Sequence, residues 1–437
     1  MSVSRSLAPE APPAAAWPAP ARSRSDAEAG PRRLMVNALV LMGLVIPGWE
    51  AQVQIAGAKM TAGRFGVTVL AIPALVLLFR RGRRLMAADL AALLTALWMI
   101  GAAASVGGFG ELASPAAESL QFLFGYLVGR AFYFAPATLD AFMRVLLGLT
   151  FAMVAIAIAE RLTNRWLAHD AAAALFGGSA LTPVSRDGAI RATATLDHPI
   201  QFGVFCALVN ALVLLWARNG AQRAALSLLC LVGCLTSQSS AALMAFALGS
   251  AAYAYDRLLP QLTARWRLFW GLVGAALCIL FVLVEHPIGW IVSHLTLDPE
   301  SGFFRMIIWD RALAKIDENP LTGYAFNLLN DPILDSTVDC VWLVEALRYG
   351  APAILLLAWA NIAAVWPARR RGLGEDDAAA VTDRRLNLGF AIVLLLFMFS
   401  SITVHFWNYM WIFWALCIGI KASLRERLIA RAPPPPA

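Results

Sequence analysis

The chain has 437 residues, of which 60% are hydrophobic and only 14% are charged, with a formal net charge of +7. A soluble domain carries about a quarter charged residues, so this composition excludes an ordinary soluble protein. Apolar runs of roughly 17–25 residues recur along the sequence, and each is long enough to cross a hydrocarbon core of about 30 Å. Such segments must be helical, because the bilayer core offers no water to unpaired backbone groups. We therefore predict an all-α polytopic membrane protein.

The predicted elements begin after a polar N-terminal segment. Residues 1–33 are rich in Ala, Pro, Ser and Arg, which predicts a disordered cytoplasmic tail and no cleaved signal peptide. Between residues 34 and 422 the apolar runs predict about twelve transmembrane helices, and residues 423–437 predict a Pro-rich cytoplasmic tail. The predicted spans are approximately 34–49, 62–79, 87–106, 116–134, 138–160, 198–217, 222–237, 239–256, 267–285, 338–366, 386–404 and 405–422.

Lysines and arginines are distributed unevenly between the two predicted sides of the membrane. With the N-terminus in the cytoplasm, 25 of the 35 basic residues fall on the cytoplasmic side and 10 fall outside. This is the bias that positive-inside topology produces, and it places both termini in the cytoplasm. Topology therefore accounts for the net charge, and we predict membrane lipids but no nucleic acid as partners.

Two outside segments are too long to be simple turns. One covers about residues 160–198, and the other covers about 286–338, between the ninth and tenth helices. Long loops in a compact protein are usually functional or disordered, so chemistry is expected on this face. Their basic residues without an obvious role in flanking a span are Arg186, Arg191, Arg305, Arg311 and Lys315.

Residues 302–318 of the second loop predict an amphipathic helix at the membrane surface, ended by Asn319-Pro320. Arg305 interrupts the apolar stripe of this helix, and a guanidinium in that position needs an anion. Two interpretations are open. In the structural interpretation, Arg305 either extends toward lipid headgroups or lies in a frayed first turn. In the functional interpretation it belongs to a diphosphate clamp, for which its bidentate fork is suited. The stripe consists of Trp309, Ala312 and Ile316, with Ile308 and Leu313 beside them.

The first loop ends in a polar cluster directly before the sixth span. Arg191, Asp197 and His198 lie within eight residues of one another, and Pro199 follows. His198 is a candidate acid or base, because the reference pKa of histidine is near neutrality. A His-Pro step is also a common structural entry into a helix, and for His198 taken alone the structural interpretation is favoured.

The chain re-enters the membrane near Asp339, and two further ionisable residues, Glu345 and Arg348, follow inside the tenth span. Ionisable groups at such depth tend to pair or to function. Glu345 and Arg348 are three residues apart on a helix, so we expect them to neutralise each other. Asp339 has no such local partner and is a candidate base for a hydroxyl proton. The same span is expected to break at Gly350-Ala351-Pro352.

The sequence predicts neither a metal site nor a cofactor. The six cysteines contain no CxxC pair, which argues against a zinc site and a disulfide framework. The five histidines are scattered without the spacing of metal ligands.

Taken in order, these features resemble the O-antigen ligase and Wzy-type polysaccharide polymerase superfamily over roughly residues 34–422. The shared features are about twelve spans, a large outside loop before the tenth, and an Arg ahead of a His-Pro helix start. The loop carries the pattern Arg-x3-Trp-x9-Asn-Pro-Leu-Thr-Gly-Tyr, and the re-entry segment carries an aromatic-Leu pair and a glycine. In this sequence the residues are Arg191, His198, Pro199, Arg305, Trp309, Asn319, Pro320, Leu321, Thr322, Gly323, Tyr324, Trp342, Leu343 and Gly350.

The resemblance implies a GT-C-like fold and a metal-independent glycosyltransferase in the bacterial inner membrane. Its substrates would be undecaprenyl-diphosphate-linked glycans at the periplasmic face, with Arg191 and Arg305 stabilising the charge on the leaving diphosphate. Ligases of the family carry a histidine, usually followed by Asn, where this sequence has Asp339 and Cys340. This departure favours a polymerase of lipid-linked repeats, working with a flippase and a chain-length regulator. The base is then either Asp339 or His198.

Three alternative functions are considered beside polymerisation into a surface polysaccharide or exopolysaccharide. The first is an O-antigen ligase that transfers the lipid-linked glycan to a lipid or another acceptor. The second is a transporter or flippase of lipid-linked sugars, against which the lack of an internal repeat and of charge at the centres of the spans argues. The third is a non-catalytic partner of a glycan assembly complex, in which Arg305 binds lipid headgroups.

Overall fold

The computed structural model describes residues 24–80, 82–186, 188–262, 264–285, 287, 290, 299–367 and 378–430. Within these residues the chain is mostly helical, and two short antiparallel hairpins join β1 (Gln52–Ile55) to β2 (Ala58–Thr61) and β3 (Ser185–Arg186) to β4 (Ala189–Ile190). The helices are α1 (Arg24–Leu41), α2 (Ala62–Arg80), α3 (Ala87–Gly107), α4 (Ala113–Phe132), α5 (Pro136–Thr163), α6 (Leu167–Phe176), α7 (Pro199–Trp216), α8 (Gly220–Thr236), α9 (Ser240–Leu258), α10 (Arg265–Leu283), α11 (Pro299–Glu318), α12 (Val341–Tyr349), α13 (Ala351–Val365), α14 (Ala378–Ser400) and α15 (Tyr409–Ala430).

The predicted membrane spans coincide with helices in the structure. Each predicted span overlaps one helix, and the tenth overlaps the pair α12 and α13. Five helices of the described part, α2, α3, α5, α7 and α10, are long and apolar enough to cross a membrane. In α10 no residue is buried although its mean hydropathy is 2.0, which is typical of a helix surface in contact with lipid. The chain is thus an all-α membrane protein, while the count of twelve spans stays a prediction.

Helices α7 and α15 lie at the centre of the bundle, with nearly all of their side chains buried. The backbone of α15 approaches that of α4 closely, because glycines face the contact. A Cβ at Gly129 would lie 2.3 Å from the carbonyl oxygen of Leu416, and a Cβ at Gly419 would lie 2.2 Å from that of Tyr126. Gly125 and Gly129 have the GxxxG spacing that permits close packing of membrane helices.

The predicted break in the tenth span is confirmed at Gly350, which separates α12 from α13 with a φ of +78°. The loop 319–325 docks into this break. Tyr324 N donates to the carbonyl oxygen of Leu347 at 2.7 Å, and Ala351 N donates to that of Pro320 at 2.7 Å. The Asn-Pro-Leu-Thr-Gly-Tyr segment therefore satisfies backbone groups that the interrupted helix leaves without an intrahelical partner.

Helices extend past both predicted tail boundaries. Helix α1 begins at Arg24, so residues 24–33 are helical, and α15 continues to Ala430, beyond the tail boundary predicted at 423. The end of α15 is ordered by buried ion pairs, because Glu426 contacts Arg83 and Arg130 and Arg427 contacts an aspartate of α14. Residues 1–23 and 431–437 of the predicted tails lie outside the described residues.

Contacts between connecting segments fall into two groups at opposite ends of the bundle, as alternating helix directions require. The group at the predicted periplasmic end includes Trp49 with Asp197, Arg191 with Ser237, and Val341 with Ser401. The group at the predicted cytoplasmic end includes Arg83 with Glu426, Trp216 with Asp140, and Arg427 with Asp383.

Candidate functional site

The candidate site lies at the predicted periplasmic end, where segments 184–198, 236–239, 339–341 and 401–408 meet. Backbone hydrogen bonds join them, from Ala192 N to the Thr236 oxygen (3.1 Å) and from Val341 N to the Ser401 oxygen (3.0 Å). Arg191, His198 and Asp339 lie in these segments, and Arg305 lies on α11. The charges of Arg191 and Asp339 both influence the pKa of His198, and the charge of Arg305 influences the pKa of Arg191. Residues far apart in sequence thus form one electrostatic cluster.

His198 occupies the N-cap of α7, where its Nδ1 accepts a hydrogen bond from Ile200 N at 3.2 Å. Burial, reinforced by the positive charge of Arg191, lowers the pKa of His198 to about 4, although Asp339 acts in the opposite direction. The imidazole is therefore neutral at pH 7. Because Nδ1 is the acceptor, the ring proton resides on Nε2, which is suited to donating a hydrogen bond. This geometry agrees with the structural interpretation of the His-Pro step.

Arg191 is held in place by three hydrogen bonds and is only 7% exposed. Its Nε donates to the Ser237 oxygen (3.0 Å), its backbone N donates to a loop carbonyl, and its own carbonyl accepts the indole N–H of Trp166 (2.8 Å). Burial, and then the like charges of Arg186 and Arg305, lower the pKa of Arg191 to about 10. The side chain stays protonated, and a bound anion would offset the repulsion that it experiences from the neighbouring positive charges.

Arg305 is half-buried on α11, the amphipathic helix predicted from the sequence. The predicted apolar stripe is confirmed, since Ala312 is buried and Trp309 and Ile316 are partly buried against the same cluster. Ile308, expected beside the stripe, is also buried there, and the cluster includes Leu343 of α12. Leu313, expected beside the stripe, is 37% exposed and lies outside the packed face. This packing fixes α11, the helix that carries Arg305, against α12.

Asp339 is exposed and directly precedes Cys340, the N-cap residue of α12. Its carboxylate accepts a hydrogen bond from the Thr337 hydroxyl at 3.3 Å. Val341, two residues later, donates its N–H to the carbonyl oxygens of Ser401 and Val404. Asp339 is therefore placed beside segment 401–408 with its carboxylate accessible from solvent.

Segment 401–408 was not predicted from the sequence to be part of the site. The ring of Trp407 lies 5.8 Å from the ring of His198 and 5.5 Å from that of His405. Burial, and then the charge of Arg348, lower the pKa of His405 to about 3. The only sequence signal was a His-Phe-Trp-Asn stretch at the edge of a span, which resembles an ordinary interfacial aromatic belt.

The expected pairing of Glu345 with Arg348 is wrong. Arg348 Nη1 instead contacts Glu118 of α4 at 2.7 Å, and the hydroxyl of Tyr349 donates to the other oxygen of Glu118 at 2.6 Å. The Arg348 guanidinium also lies over the ring of Phe326, at 4.3 Å from its centroid. The bundle brings α4 against the last turn of α12, and sequence spacing alone could not indicate this partner.

Among the described residues, no group of three or more His, Cys, Asp or Glu side chains is arranged to hold a metal ion. Comparison with protein-family models and with curated proteins finds no match for this chain. The motifs that resemble the ligase and polymerase superfamily therefore support a proposal about function and not a family assignment.

Proposed function

We propose that this protein is a membrane glycosyltransferase that polymerises undecaprenyl-diphosphate-linked oligosaccharide repeats at the periplasmic face of the inner membrane. The observation that carries the proposal is that the charge of Arg305 acts on Arg191, while the charges of Arg191 and Asp339 act on His198. With Arg186 nearby, three guanidinium groups share one region, and their mutual repulsion is relieved by an anion. Guanidinium forks match phosphate oxygens bidentately, so a diphosphate is the anion that fits best.

The reaction would transfer a glycan from its diphosphate carrier to a sugar hydroxyl. The acceptor oxygen forms a bond to the anomeric carbon of the donor, while the bond between that carbon and the diphosphate oxygen breaks. Undecaprenyl diphosphate leaves with the electron pair, and Arg191 and Arg305 stabilise its charge. The acceptor proton passes to a base.

Asp339 is the better candidate for this base. Its carboxylate is exposed beside the cluster, whereas Nδ1 of His198 already accepts the N–H of Ile200. His198 would then donate its Nε2 proton as a hydrogen bond to substrate and would also terminate α7.

Conservative substitutions of the two arginines test the clamp. Arg305→Lys keeps the charge but loses the fork, so we expect it to lower polymer formation about a hundredfold, and Arg191→Lys to do the same. Arg311→Lys is the matched control on α11, because Arg311 pairs with Asp331 and is 47% exposed at its side chain. Each variant would replace the chromosomal copy, and glycan length would be measured by gel electrophoresis. Normal length profiles in both site variants would exclude the clamp.

The lipid-linked products of a deletion strain separate polymerase from ligase. A polymerase mutant should accumulate single repeats on undecaprenyl diphosphate and make no long chains. Full-length polymer that accumulates without attachment to its final acceptor would instead indicate the ligase.

A further inference from the structure

The connection between α1 and α2 carries the hairpin of β1 and β2, at the predicted periplasmic end of the bundle. Its two-residue turn has a positive φ at both Ala56 (+51°) and Gly57 (+81°), as a type I′ turn requires. Strand β2 ends at Thr61, and α2, which is long and apolar enough to cross a membrane, begins at the next residue. The hairpin is therefore attached directly to a helix that can span the bilayer.

The strand register divides the side chains of the hairpin between an apolar face and a polar face, because directly opposite residues point to the same side of the ladder. The apolar face consists of Val53 opposite Met60 and Ile55 opposite Ala58. The polar face consists of Gln52 opposite Thr61 and Gln54 opposite Lys59. A ribbon divided in this way is suited to a boundary between an apolar medium and water.

Within the described residues, the outer half of the apolar face is left uncovered. Val53 is 59% exposed and Ile55 is 53% exposed, whereas Met60 on the inner strand is half-buried. The inner strand is held by α2, since Arg64 Nη1 donates to the carbonyl oxygen of Lys59 at 2.5 Å. A two-stranded hairpin alone is marginally stable in water, so an apolar surface over β1 would stabilise it further.

The hairpin extends across the end of the bundle and does not stand upright on it. A strand of four residues spans roughly 13 Å, so an upright hairpin would carry its tip beyond a headgroup region of about 5–8 Å. The tip instead lies against the start of α4, because a Cβ at Gly57 would be 3.3 Å from the Cβ of Ala113. The hairpin thus runs from the start of one helix to the start of another, at the level where the helices end.

The surroundings of the hairpin have the character of a lipid-facing surface. On α2, the exposed side chains of Phe65, Val69 and Ile72 follow one another at spacings of four and three residues, which forms an apolar stripe on one side of the helix. Trp49, just before β1, is also exposed, and the ammonium of Lys59 lies 5.5 Å from the centroid of its ring. Tryptophan and lysine are typical anchors at the boundary between membrane and water.

We infer that the β1–β2 hairpin is a membrane anchor whose apolar face inserts into the headgroup region of the leaflet on the predicted periplasmic side. Val53 and Ile55 contact lipid there, and Gln54 faces water. The bilayer is the occupant that fits, because the exposed stripe of α2 continues directly into the hairpin. The anchor is connected to the candidate site through Trp49, whose backbone N–H donates to Asp197 at 3.1 Å. The inference does not depend on the proposed transferase function.

The test measures which side chains of the hairpin contact lipid. A nitroxide spin label would be attached to Val53→Cys or Ile55→Cys in the full-length protein, in nanodiscs of phosphatidylethanolamine and phosphatidylglycerol. Gln54→Cys is the matched control, because Gln54 is exposed on the polar face of the same strand. Each variant would also carry Cys278→Ser, since the other native cysteines are buried. Collisions of the label with oxygen, which concentrates in lipid, and with a neutral nickel chelate, which stays in water, would be recorded.

The anchor predicts that the ratio of oxygen to nickel collisions is several-fold higher at positions 53 and 55 than at position 54. A similar ratio at all three positions would overturn the inference, because it would place both faces in water, as expected of a surface meant for an absent protein partner. Low collision rates with both agents at 53 and 55 would indicate contact with a second copy of the chain and would also overturn it. The two labelled positions are independent, so a variant that melts below wild type would be set aside in favour of the other. No glycan transfer is measured, so the result is the same whether or not the protein is a transferase.

Discussion

At the scale of single residues, His198 and Asp339 have different environments although both were candidates for the base. His198 has its Nδ1 occupied by the N–H of Ile200 and a pKa lowered to about 4 by burial and by Arg191. Asp339 is open to solvent and accepts only a weak hydrogen bond from a neighbouring threonine hydroxyl at 3.3 Å. A side chain that terminates a helix is constrained in its movement, whereas an exposed carboxylate can reach a hydroxyl.

Neutral substitutions separate these two roles. Asp339→Asn should lower kcat by roughly 10²–10⁴, the usual contribution of a general base. His198→Asn should lose less than about tenfold, because asparagine is among the best N-cap residues and preserves the acceptor. Polymerisation by the purified protein in nanodiscs would measure both. A larger loss in His198→Asn than in Asp339→Asn would reverse the assignment.

A second histidine, His169, forms a fully buried pair with Glu50. Its Nδ1 lies 2.9 Å from both oxygens of Glu50, and its Nε2 lies 3.0 Å from the carbonyl oxygen of Leu196. Burial lowers the pKa of His169, but Glu50, the carbonyl oxygen of Leu196 and the charge of Asp197 together raise it, and the resulting pKa lies above the ordinary value. Both ring nitrogens face acceptors, so the imidazolium form satisfies them, and the pair fastens the first long loop two residues before His198.

The stability that this pair contributes should decrease with rising pH. The folded pKa is raised, so the contribution is complete below about pH 6.5, the pKa of an unfolded histidine, and is lost as the pH passes the folded pKa. His169→Gln should therefore cost roughly 3–5 kcal/mol at pH 6 and less at pH 9. Melting temperatures of the detergent-solubilised protein would measure the difference. Arg165→Gln, which removes a surface pair with Asp170, should have a small effect at either pH. A difference between wild type and His169→Gln that is constant with pH would refute the charged pair.

At the scale of elements, the break between α12 and α13 determines how the second long loop is attached. The loop 319–325 donates and accepts backbone hydrogen bonds at the break, and α11 packs its apolar stripe against α12. The motif Asn319–Tyr324 therefore has a structural role that is independent of catalysis. It fixes the end of the helix that presents Arg305.

Replacing Gly350 by alanine should disrupt this attachment. Its φ of +78° is disfavoured for other residues, and a Cβ would lie 2.0 Å from the Leu321 oxygen. We expect Gly350→Ala to destabilise the protein by at least about 2 kcal/mol. Gly101→Ala in α3, where no atom lies within 4 Å of the Cβ position, should be neutral or slightly stabilising. Thermal unfolding followed by fluorescence-detected gel filtration would compare them, and equal melting of the two variants would contradict the docking of the loop.

At the scale of the whole molecule, the two ends of the bundle are held by different interactions. The predicted periplasmic end carries the site and the loop contacts. The predicted cytoplasmic end is joined by buried ion pairs, in which Arg130, only 1% exposed at its side chain, contacts both Asp89 and Glu426. Burial of these charges is favourable only while the partners are present.

Truncation should reveal where the folded part of the chain ends. A protein that stops after Ala422 lacks Glu426 and Arg427 and leaves Arg83, Arg130 and Asp383 without these contacts. Losing a buried partner costs roughly 3–5 kcal/mol, so little folded protein should be recovered. A protein that stops after Ala430 keeps every one of these pairs and should fold like wild type. Recovery of monodisperse protein after gel filtration would measure both, and good recovery after truncation at 422 would contradict the role of α15.

The amino-acid sequence by itself determined the features that depend on neighbouring residues. Apolar runs predict helices because the bilayer leaves the backbone no other way to satisfy its hydrogen bonds. The break at Gly350 and the apolar stripe of Trp309, Ala312 and Ile316 follow from local geometry and from helical periodicity, and the structure has both.

Only the tertiary structure decided which distant residues meet. Arg348 pairs with Glu118, 230 positions away, and not with Glu345 on its own helix. Packing between helices likewise places the Trp407 ring beside His198 and brings the charge of Arg305 within range of Arg191. It also orders α15 as far as Ala430. The physical reason is that a buried charge takes whichever partner the folded bundle brings near, and the spacing of residues along one segment carries no information about the others.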